Sequence, residues 1–239
     1  GYSLLIYEML NQYLYVFEEN KIPNIKKNFG SISFINEVFQ RCYLNDKNTE
    51  SYFENLINNK DNIKVQDDNY SRYIFFYINY LIENNKYDEA KTITDDLEYL
   101  NSSLLISQGK KWIEEIKLQE FEKIFSCKNS NDILGELFFL IANLYSSQAE
   151  YEKSNFYLNL SHFLNPKFIF NLTLLAENHY SNENYTKTSI TLKHFSKKNK
   201  FYYWYKLKKE AQIISKKIDD KTSLNFINSK FKKIKAPSI

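Results

Sequence analysis

Apolar residues along the chain recur three or four positions apart, in segments that short polar stretches separate. In the segment 148–166, the polar turn "QAE" is followed by the amphipathic stretch "YEKSNFYLNLSHFLN" and then by Pro166. Apolar spacing of this kind is typical of helices with one buried face. Only four glycines and three prolines occur in the 239 residues, so few positions break a helix. The pattern predicts an all-α chain of helices joined by short turns.

A second, longer period links two of these segments. Tyr151 recurs 34 residues later as Tyr185, and the match extends to both sides. The other matching residues are Ile141, Ala142, Ser154 and Leu158 in the first segment and Leu175, Ala176, Thr188 and Leu192 in the second. A fixed period of this size indicates a stack of repeated units. We therefore predict consecutive helical pairs that pack on one another.

The repeat resembles the tetratricopeptide repeat (TPR), a helix–turn–helix unit of about 34 residues. The TPR residue types are found in the first copy at Phe138, Ile141, Ala142, Tyr145, Ser154 and Pro166. The second copy departs from the pattern, with His179 at a tyrosine position and Lys200 at the proline position. The resemblance covers residues 70–234 and is strongest over 131–198. It implies a right-handed α-solenoid of antiparallel helix pairs, that is, a TPR-like superhelix.

The repeat also suggests how the chain is divided. Residues 1–69 show helical periodicity without a clean repeat, and we interpret them as degenerate repeats or the end of a longer solenoid. Residues 70–239 are interpreted as the TPR-like solenoid, with pairs at about 70–100, 102–126, 131–166, 167–199 and 201–234. The pair at 102–126 is expected to be irregular, because Tyr87 and Tyr151 are 64 residues apart, four fewer than two periods.

The chain is similar to the C-terminal part of long multi-TPR proteins of AT-rich alphaproteobacteria. The resemblance implies a bacterial protein and favours the periplasm or cell envelope. The first residue of the chain is Gly1 and its only methionine is Met9. This predicts that the chain is the C-terminal part of a longer protein. Cys42 and Cys127 form no C-x-x-C motif. We interpret them as small buried hydrophobic residues, and a long-range disulfide stays open if the protein is exported.

In a TPR stack, the first helix of each pair lines a concave groove that binds a partner. The resemblance implies a peptide-binding groove formed by Arg72, Phe75, Asn79, Glu136, Phe139, Asn143, Thr173, Glu177 and Tyr180. The couples Phe75/Asn79 and Phe139/Asn143 suit an extended peptide, since the amide can bond its backbone beside an apolar ledge. Chaperone-tail TPR domains have a lysine where these phenylalanines stand, so a carboxylate clamp is not expected. Two alternatives stay open: the phenylalanines pack between neighbouring helices, or N-terminal repeats of a longer protein contact this surface within the same chain.

Charge is distributed unevenly along the chain. From residue 191 onward, fourteen lysines stand against three acidic residues, although the whole chain has a net charge of only +3. The candidate basic patch consists of Lys197, Lys198, Lys200, Lys206, Lys208 and Lys209. Lysines on a terminal repeat can simply keep it soluble, or they can bind an anionic membrane surface together with nearby aromatic residues. No nucleic-acid motif accompanies the charge, so a nucleic-acid partner is not expected.

No motif for catalysis, metal binding or cofactor binding is found in the sequence. Phosphate-binding glycine loops and the G-x-S-x-G and H-E-x-x-H motifs are absent, and the three histidines have no carboxylate or cysteine at ligand spacing. The apolar runs are about half of the ~20 residues that a membrane helix needs. We therefore expect a non-enzymatic TPR scaffold that binds a protein or peptide. The alternative is a peripheral cell-envelope protein held to anionic lipid by its basic C-terminal end.

Overall fold

The computed structural model of the chain describes residues 1–24, 27–58, 68–97 and 103–232, and within these ranges it is helical without any strand. The thirteen helices of these ranges are α1 (Ser3–Glu19), α2 (Ser31–Tyr43), α3 (Thr49–Asn58), α4 (Asp68–Glu83), α5 (Tyr87–Asp96), α6 (Leu104–Glu114), α7 (Gln119–Ile124), α8 (Ser130–Ser146), α9 (Tyr151–Leu164), α10 (Asn171–Ser181), α11 (Tyr185–Leu192), α12 (Lys200–Lys217) and α13 (Asp220–Phe231). The all-α prediction is confirmed. The pair ends predicted at residues 100, 102 and 234 lie outside the described residues. None of the helices in these ranges has the length and apolar character to cross a bilayer.

Helices that follow one another in the chain pack as neighbours. Contacts join α4 to α5, α8 to α9, α10 to α11 and α12 to α13. The small residues of the repeat lie at these interfaces, since Ala142, Ser154, Ala176 and Thr188 are all completely buried. Small side chains allow two helices to approach closely, which explains why the repeat keeps them.

The turns that follow α2, α4, α6, α8 and α10 share one backbone conformation. Two or three residues after the first helix, a residue adopts the left-handed conformation, and the next N–H donates to a carbonyl five residues earlier. The left-handed residues are Asn45, Asn85, Ile116, Ala149 and Glu183, with φ between 52° and 61°. This hydrogen bond, 2.7–3.0 Å long in all five turns, belongs to the Schellman motif that ends many helices. It shows that α2 and α3 also form a helix–turn–helix, which the sequence pattern did not resolve.

Helices distant in the sequence also contact one another. Helices α1 and α2 lie against α8, α4 lies against α6 and α7, and α6 contacts α12. In a regular solenoid each repeat contacts only its neighbours, so the contacts of α1 and α2 with α8 and of α6 with α12 depart from that architecture. Helix α4 is the most enclosed, because the nine consecutive residues 71–79 are all buried. A helix that is apolar around its whole circumference lies inside a protein, and α4 has that position here.

A disulfide joins Cys42 at the end of α2 to Cys127 before α8. Their Cα atoms are 5.8 Å apart, within the usual range for such a bond, and both residues are buried. Of the two interpretations left open by the sequence, the long-range disulfide is therefore correct. The bond ties the N-terminal helices to the repeat region across 85 residues of sequence.

Candidate functional site

The first helices of the pairs meet at a buried arginine. Arg72 on α4 is completely buried, and its Nε donates hydrogen bonds to both carboxylate oxygens of Glu136 on α8, at 2.8 and 3.0 Å. Arg72 Nη2 also donates to Glu136 Oε2 and, at 2.8 Å, to Asn171 Oδ1 on α10. Asn171 in turn donates to Ser161 Oγ on α9 at 2.7 Å. One side chain of α4 thus fixes α8 and α10 in position.

Aromatic rings surround the same guanidinium group. Its Cζ lies 3.6 Å from the ring centroid of Phe139, 4.8 Å from that of Phe168 and 5.2 Å from that of Phe76. Burial raises the pKa of the Glu136 carboxyl, and the Arg72 guanidinium opposes that rise. Among the described residues, Arg72 Nη1 has no hydrogen-bond partner, so its contact is with the rings alone.

Five of the nine residues expected to line an open groove are core residues. Arg72, Phe75, Asn79, Glu136 and Phe139 are all buried, with exposed fractions of 4% or less. Their side chains face inward because each has partners inside the protein. Arg72 pairs with Glu136 beside the Phe139 ring, Phe75 packs on the Phe121 and Phe168 rings, and Asn79 donates to the Phe125 carbonyl. The prediction that these five are accessible to a peptide is therefore wrong. The alternative that the phenylalanines pack between helices describes Phe75, which lies against Phe121 and Phe168.

The other four predicted residues remain partly exposed. Asn143 lies on α8, and Thr173, Glu177 and Tyr180 lie on α10. We call these four residues the open groove segment. In the described parts of the chain, the Asn143 side-chain amide has no hydrogen-bond partner, which leaves its donor and acceptor for other groups.

Helix α12 supports the α10 side of the open groove segment. Tyr205 Oη donates to Glu177 Oε1 at 2.7 Å and to the Thr173 carbonyl at 3.2 Å. Lys209 Nζ donates to Glu177 Oε2 at 2.7 Å and lies 4.5 Å from the centroid of the Tyr180 ring. Burial, followed by the nearby Glu177 carboxylate, raises the pKa of Tyr205, so the phenol stays protonated as a donor. The surface is therefore held by fixed polar contacts.

The predicted basic patch is divided by the fold. Lys197, Lys198, Lys200 and Lys208 are exposed. Lys209 is buried, because its ammonium group pairs with Glu177, and its assignment to an exposed patch is wrong. Lys206 is half-buried and lies 3.9 Å from Glu210. Lys208 lies two turns along α12 from Lys200, whereas Lys197 and Lys198 lie in the connection before that helix.

Comparison with protein-family models, curated proteins and solved structures finds no match to this chain. The resemblance to TPR proteins therefore stays a prediction, as does the handedness of the stack. No cluster of three or more histidine, cysteine or acidic side chains that could hold a metal ion occurs in the described ranges. His162 and His194 lie near each other, with ring centroids 5.6 Å apart, and burial followed by the charge of His194 lowers the pKa of His162.

Asn79 and Asn143 were assigned to equivalent positions of the repeat from the sequence, but replacing them should affect stability differently. Asn79 Nδ2 donates to the buried carbonyl of Phe125 at 3.0 Å, whereas the partly exposed Asn143 side-chain amide has no hydrogen-bond partner among the described residues. Asn79→Ala should lower the free energy of unfolding by about 1–3 kcal/mol, because a buried acceptor loses its donor. Asn143→Ala should change it by less than about 0.5 kcal/mol. Urea unfolding of both variants checks this, and equal stability of the two would contradict the assignment of Asn79 to the core.

Proposed function

We propose that the protein is a non-enzymatic TPR-like scaffold that binds an extended segment of a protein partner along the open groove segment. The observation that carries this proposal is the half-exposed Asn143 amide, which has unused hydrogen-bonding capacity beside a row of fixed polar and aromatic groups. An extended peptide backbone offers donors and acceptors in regular alternation, which a side-chain amide can match in both directions.

The spacing of the four residues supports a shared role. Glu177 follows Asn143 by 34 residues and Thr173 follows Phe139 by the same interval, so α8 and α10 present corresponding positions. The two helices are joined next to these positions by the hydrogen bond from Ser146 Oγ to Asn178 Oδ1, at 2.6 Å. A partner that crosses α8 and α10 would therefore meet a rigid surface, which limits the ordering cost of binding.

The chemistry of the surface favours a neutral polar segment with an apolar side chain. The Glu177 carboxylate is already paired with Lys209 and Tyr205, so it contributes little net charge to a ligand. The Tyr180 ring packs against Tyr185, with centroids 5.6 Å apart, and offers a flat apolar surface. Aromatic rings with a polar edge are frequent anchors in protein interfaces. We infer main-chain recognition by Asn143 and side-chain contact with Tyr180.

The disulfide supports the expected compartment. Disulfides form and persist in oxidising environments such as the periplasm. Cys42 and Cys127 are joined in this chain, which agrees with export to the cell envelope. Of the lysines expected to attach the protein to anionic lipid, Lys209 is internal and paired with Glu177, and Lys206 is half-buried. The proposal therefore rests on the groove rather than on lipid binding.

The test compares two double variants, each of which removes one asparagine and one aromatic residue from a different part of the protein. Asn143→Ala with Tyr180→Ala alters the open groove segment, and Phe156→Ala with Asn159→Ala alters the exposed side of α9 as the control. A partner is captured from the source cell, its binding segment is mapped with overlapping peptides, and the Kd of that peptide is measured for each protein.

The groove variant should bind the mapped peptide at least about tenfold more weakly, since each lost hydrogen bond contributes about 0.5–1.5 kcal/mol and the ring adds apolar contact. The α9 variant should keep the wild-type Kd. Equal affinity of the wild type and the groove variant would contradict the proposal, as would an equal loss in both variants. Thermal melting of each variant shows whether a loss of binding reflects unfolding.

A further inference from the structure

A cavity of about 410 Å³ lies between α6, α7 and the connections that lead into α10 and α12. It is a separate surface from the open groove segment, because the two share no lining residue. Its volume lies within the range of about 300–1,000 Å³ that is typical of small-molecule sites. None of the motifs in the sequence accounts for it.

The irregular helical pair creates this cavity. Helix α7 has six residues, whereas α9, the corresponding second helix of the next pair, has fourteen. The short helix leaves the connections at residues 167–170 and 196–199 uncovered on the side that faces α6. Gly109 on α6 permits the close packing behind the cavity, since a Cβ there would lie 3.4 Å from the Phe121 ring. The interval from Tyr87 to Tyr151 is four residues shorter than two repeat periods. This shortening is the sequence signal of the short second helix.

Unpaired cations surround the cavity. Lys167, Lys198 and Lys200 line it, and none of them forms an ion pair with a described acidic residue. The two glutamates of the lining are already paired, Glu115 with two lysines and Glu120 with a third. The charge of Lys167 also acts on the Asp132 carboxyl, whereas Lys198 and Lys200 give the cavity a positive charge that no acidic residue of the described ranges pairs with. An anion would supply the missing partner.

Helix α12 adds to the positive electrostatic potential in the cavity. It is eighteen residues long and begins at Lys200, on the wall of the cavity. Its N-cap residue Asn199 accepts a hydrogen bond from the Tyr202 N–H, which fixes the first turn. The N-terminus of a helix has a partial positive charge of roughly half an electron, which favours a negative group close to it. Three ammonium groups and this dipole together match a phosphate dianion better than a single carboxylate.

Aromatic side chains form the other part of the lining. Trp112 and Phe201 are half-exposed on the walls, and Phe170 lies beside them. The Trp112 ring is held edge-on against Phe121, with centroids 5.1 Å apart. At the base, Tyr202 Oη donates to Gln108 Oε1 at 3.3 Å, so these polar groups satisfy each other. Flat rings on the walls offer stacking to a planar ligand.

We propose that this cavity binds a small phosphorylated aromatic compound of the nucleoside monophosphate class. Lys167, Lys198 and Lys200 contact the phosphate, and Trp112 and Phe201 contact the base. Lys198 and Lys200 lie at or just before the start of α12 beside Phe201, Lys167 lies in the connection before α10, and Trp112 lies on α6, so cations and rings line the same cavity. This inference does not depend on the proposed function, since its residues are not part of the open groove segment.

Intrinsic fluorescence gives a direct measurement. The chain has two tryptophans, so Trp204→Phe leaves Trp112 on the cavity wall as the only reporter. The variant is titrated with adenosine monophosphate, adenosine and inorganic phosphate, and the Kd values are repeated on the unaltered protein by calorimetry. We expect saturable quenching by adenosine monophosphate, with a Kd at least about tenfold lower than for adenosine or phosphate alone.

A charge-matched pair of variants localises the site. Lys198→Ala with Lys200→Ala should weaken binding of adenosine monophosphate at least about tenfold. Lys208→Ala with Lys221→Ala removes the same charge from exposed positions away from the cavity and should change the Kd less than about twofold. Three results would overturn the inference: no saturation at about 10 mM, equal binding of adenosine alone, or an equal loss in both variants. Binding to phosphatidylglycerol vesicles without any response to adenosine monophosphate would also overturn it.

Discussion

Glu136→Ala should lower the free energy of unfolding by about 3–5 kcal/mol, the largest effect that we expect for a single substitution in this chain. The change leaves the Arg72 guanidinium buried without its counter-ion, with Asn171 Oδ1 as its only remaining hydrogen-bond acceptor. Arg72 is completely enclosed by Phe139, Phe168 and their neighbours, so the uncompensated charge stays out of bulk solvent. Urea unfolding followed by circular dichroism measures the loss.

The double variant Arg72→Met with Glu136→Leu is the control for this prediction. It removes both charges and fills the space with apolar side chains, so it should recover most of the stability that the single change removes. The Asn171 amide then loses one partner, which leaves a residual cost of about 1–3 kcal/mol. A Glu136→Ala protein within about 1 kcal/mol of the wild type would contradict the buried ion pair.

Removing the disulfide with two substitutions should have an effect of at least similar size. Cys42→Ser with Cys127→Ser should lower the free energy of unfolding by about 4–5 kcal/mol in the chain-entropy description, since the bond closes a loop with a sequence separation of 85 residues. The two hydroxyl groups would be buried at positions that are 1% and 3% exposed, which adds to the cost. Thermal melting under matched conditions compares the variant with the wild type.

Reducing the wild-type protein distinguishes the effect of losing the disulfide from the effect of replacing the cysteine side chains. A phosphine reductant should lower the melting temperature of the wild-type protein and leave that of the double-serine variant unchanged. Because both sulfur atoms are buried, reduction should be slow in the folded protein and faster once the chain opens. If the reductant leaves the wild-type melting temperature unchanged, the two cysteines are not joined.

The helices and their close contacts could be predicted from the sequence, because they depend on residues that are near one another in the chain. Apolar spacing located the helices, and the 34-residue interval placed Ala142 and Ala176 at completely buried contacts. The four missing residues between Tyr87 and Tyr151 indicated the irregular pair, which the structure describes as α6 and the six-residue α7. The repeated turn was not visible, since residues as different as Asn85, Ile116 and Glu183 occupy its left-handed position.

The packing between distant helices could not be predicted from the repeat. The groove was assigned on the assumption that each pair contacts only its neighbours, and Arg72 contacts Glu136 and Asn171 across 64 and 99 residues. One signal was present in "YSRYIFFYINYL", which has apolar residues on every side of α4. Such a helix is enclosed by the rest of the protein, and this property identifies Phe75 and Asn79 as core residues.

The buried arginine also sets an order of events during synthesis. At about 5–20 residues per second, Glu136 leaves the ribosome about 3–13 s after Arg72, and Asn171 follows about 5–20 s after Arg72. Through that interval Arg72 lacks its counter-ion, and the aromatic side chains of α4 lack their C-terminal neighbours such as Phe168. The N-terminal half of the nascent chain therefore cannot complete its packing until the C-terminal half has been synthesised. A chaperone would meet the chain with α4 still incompletely packed.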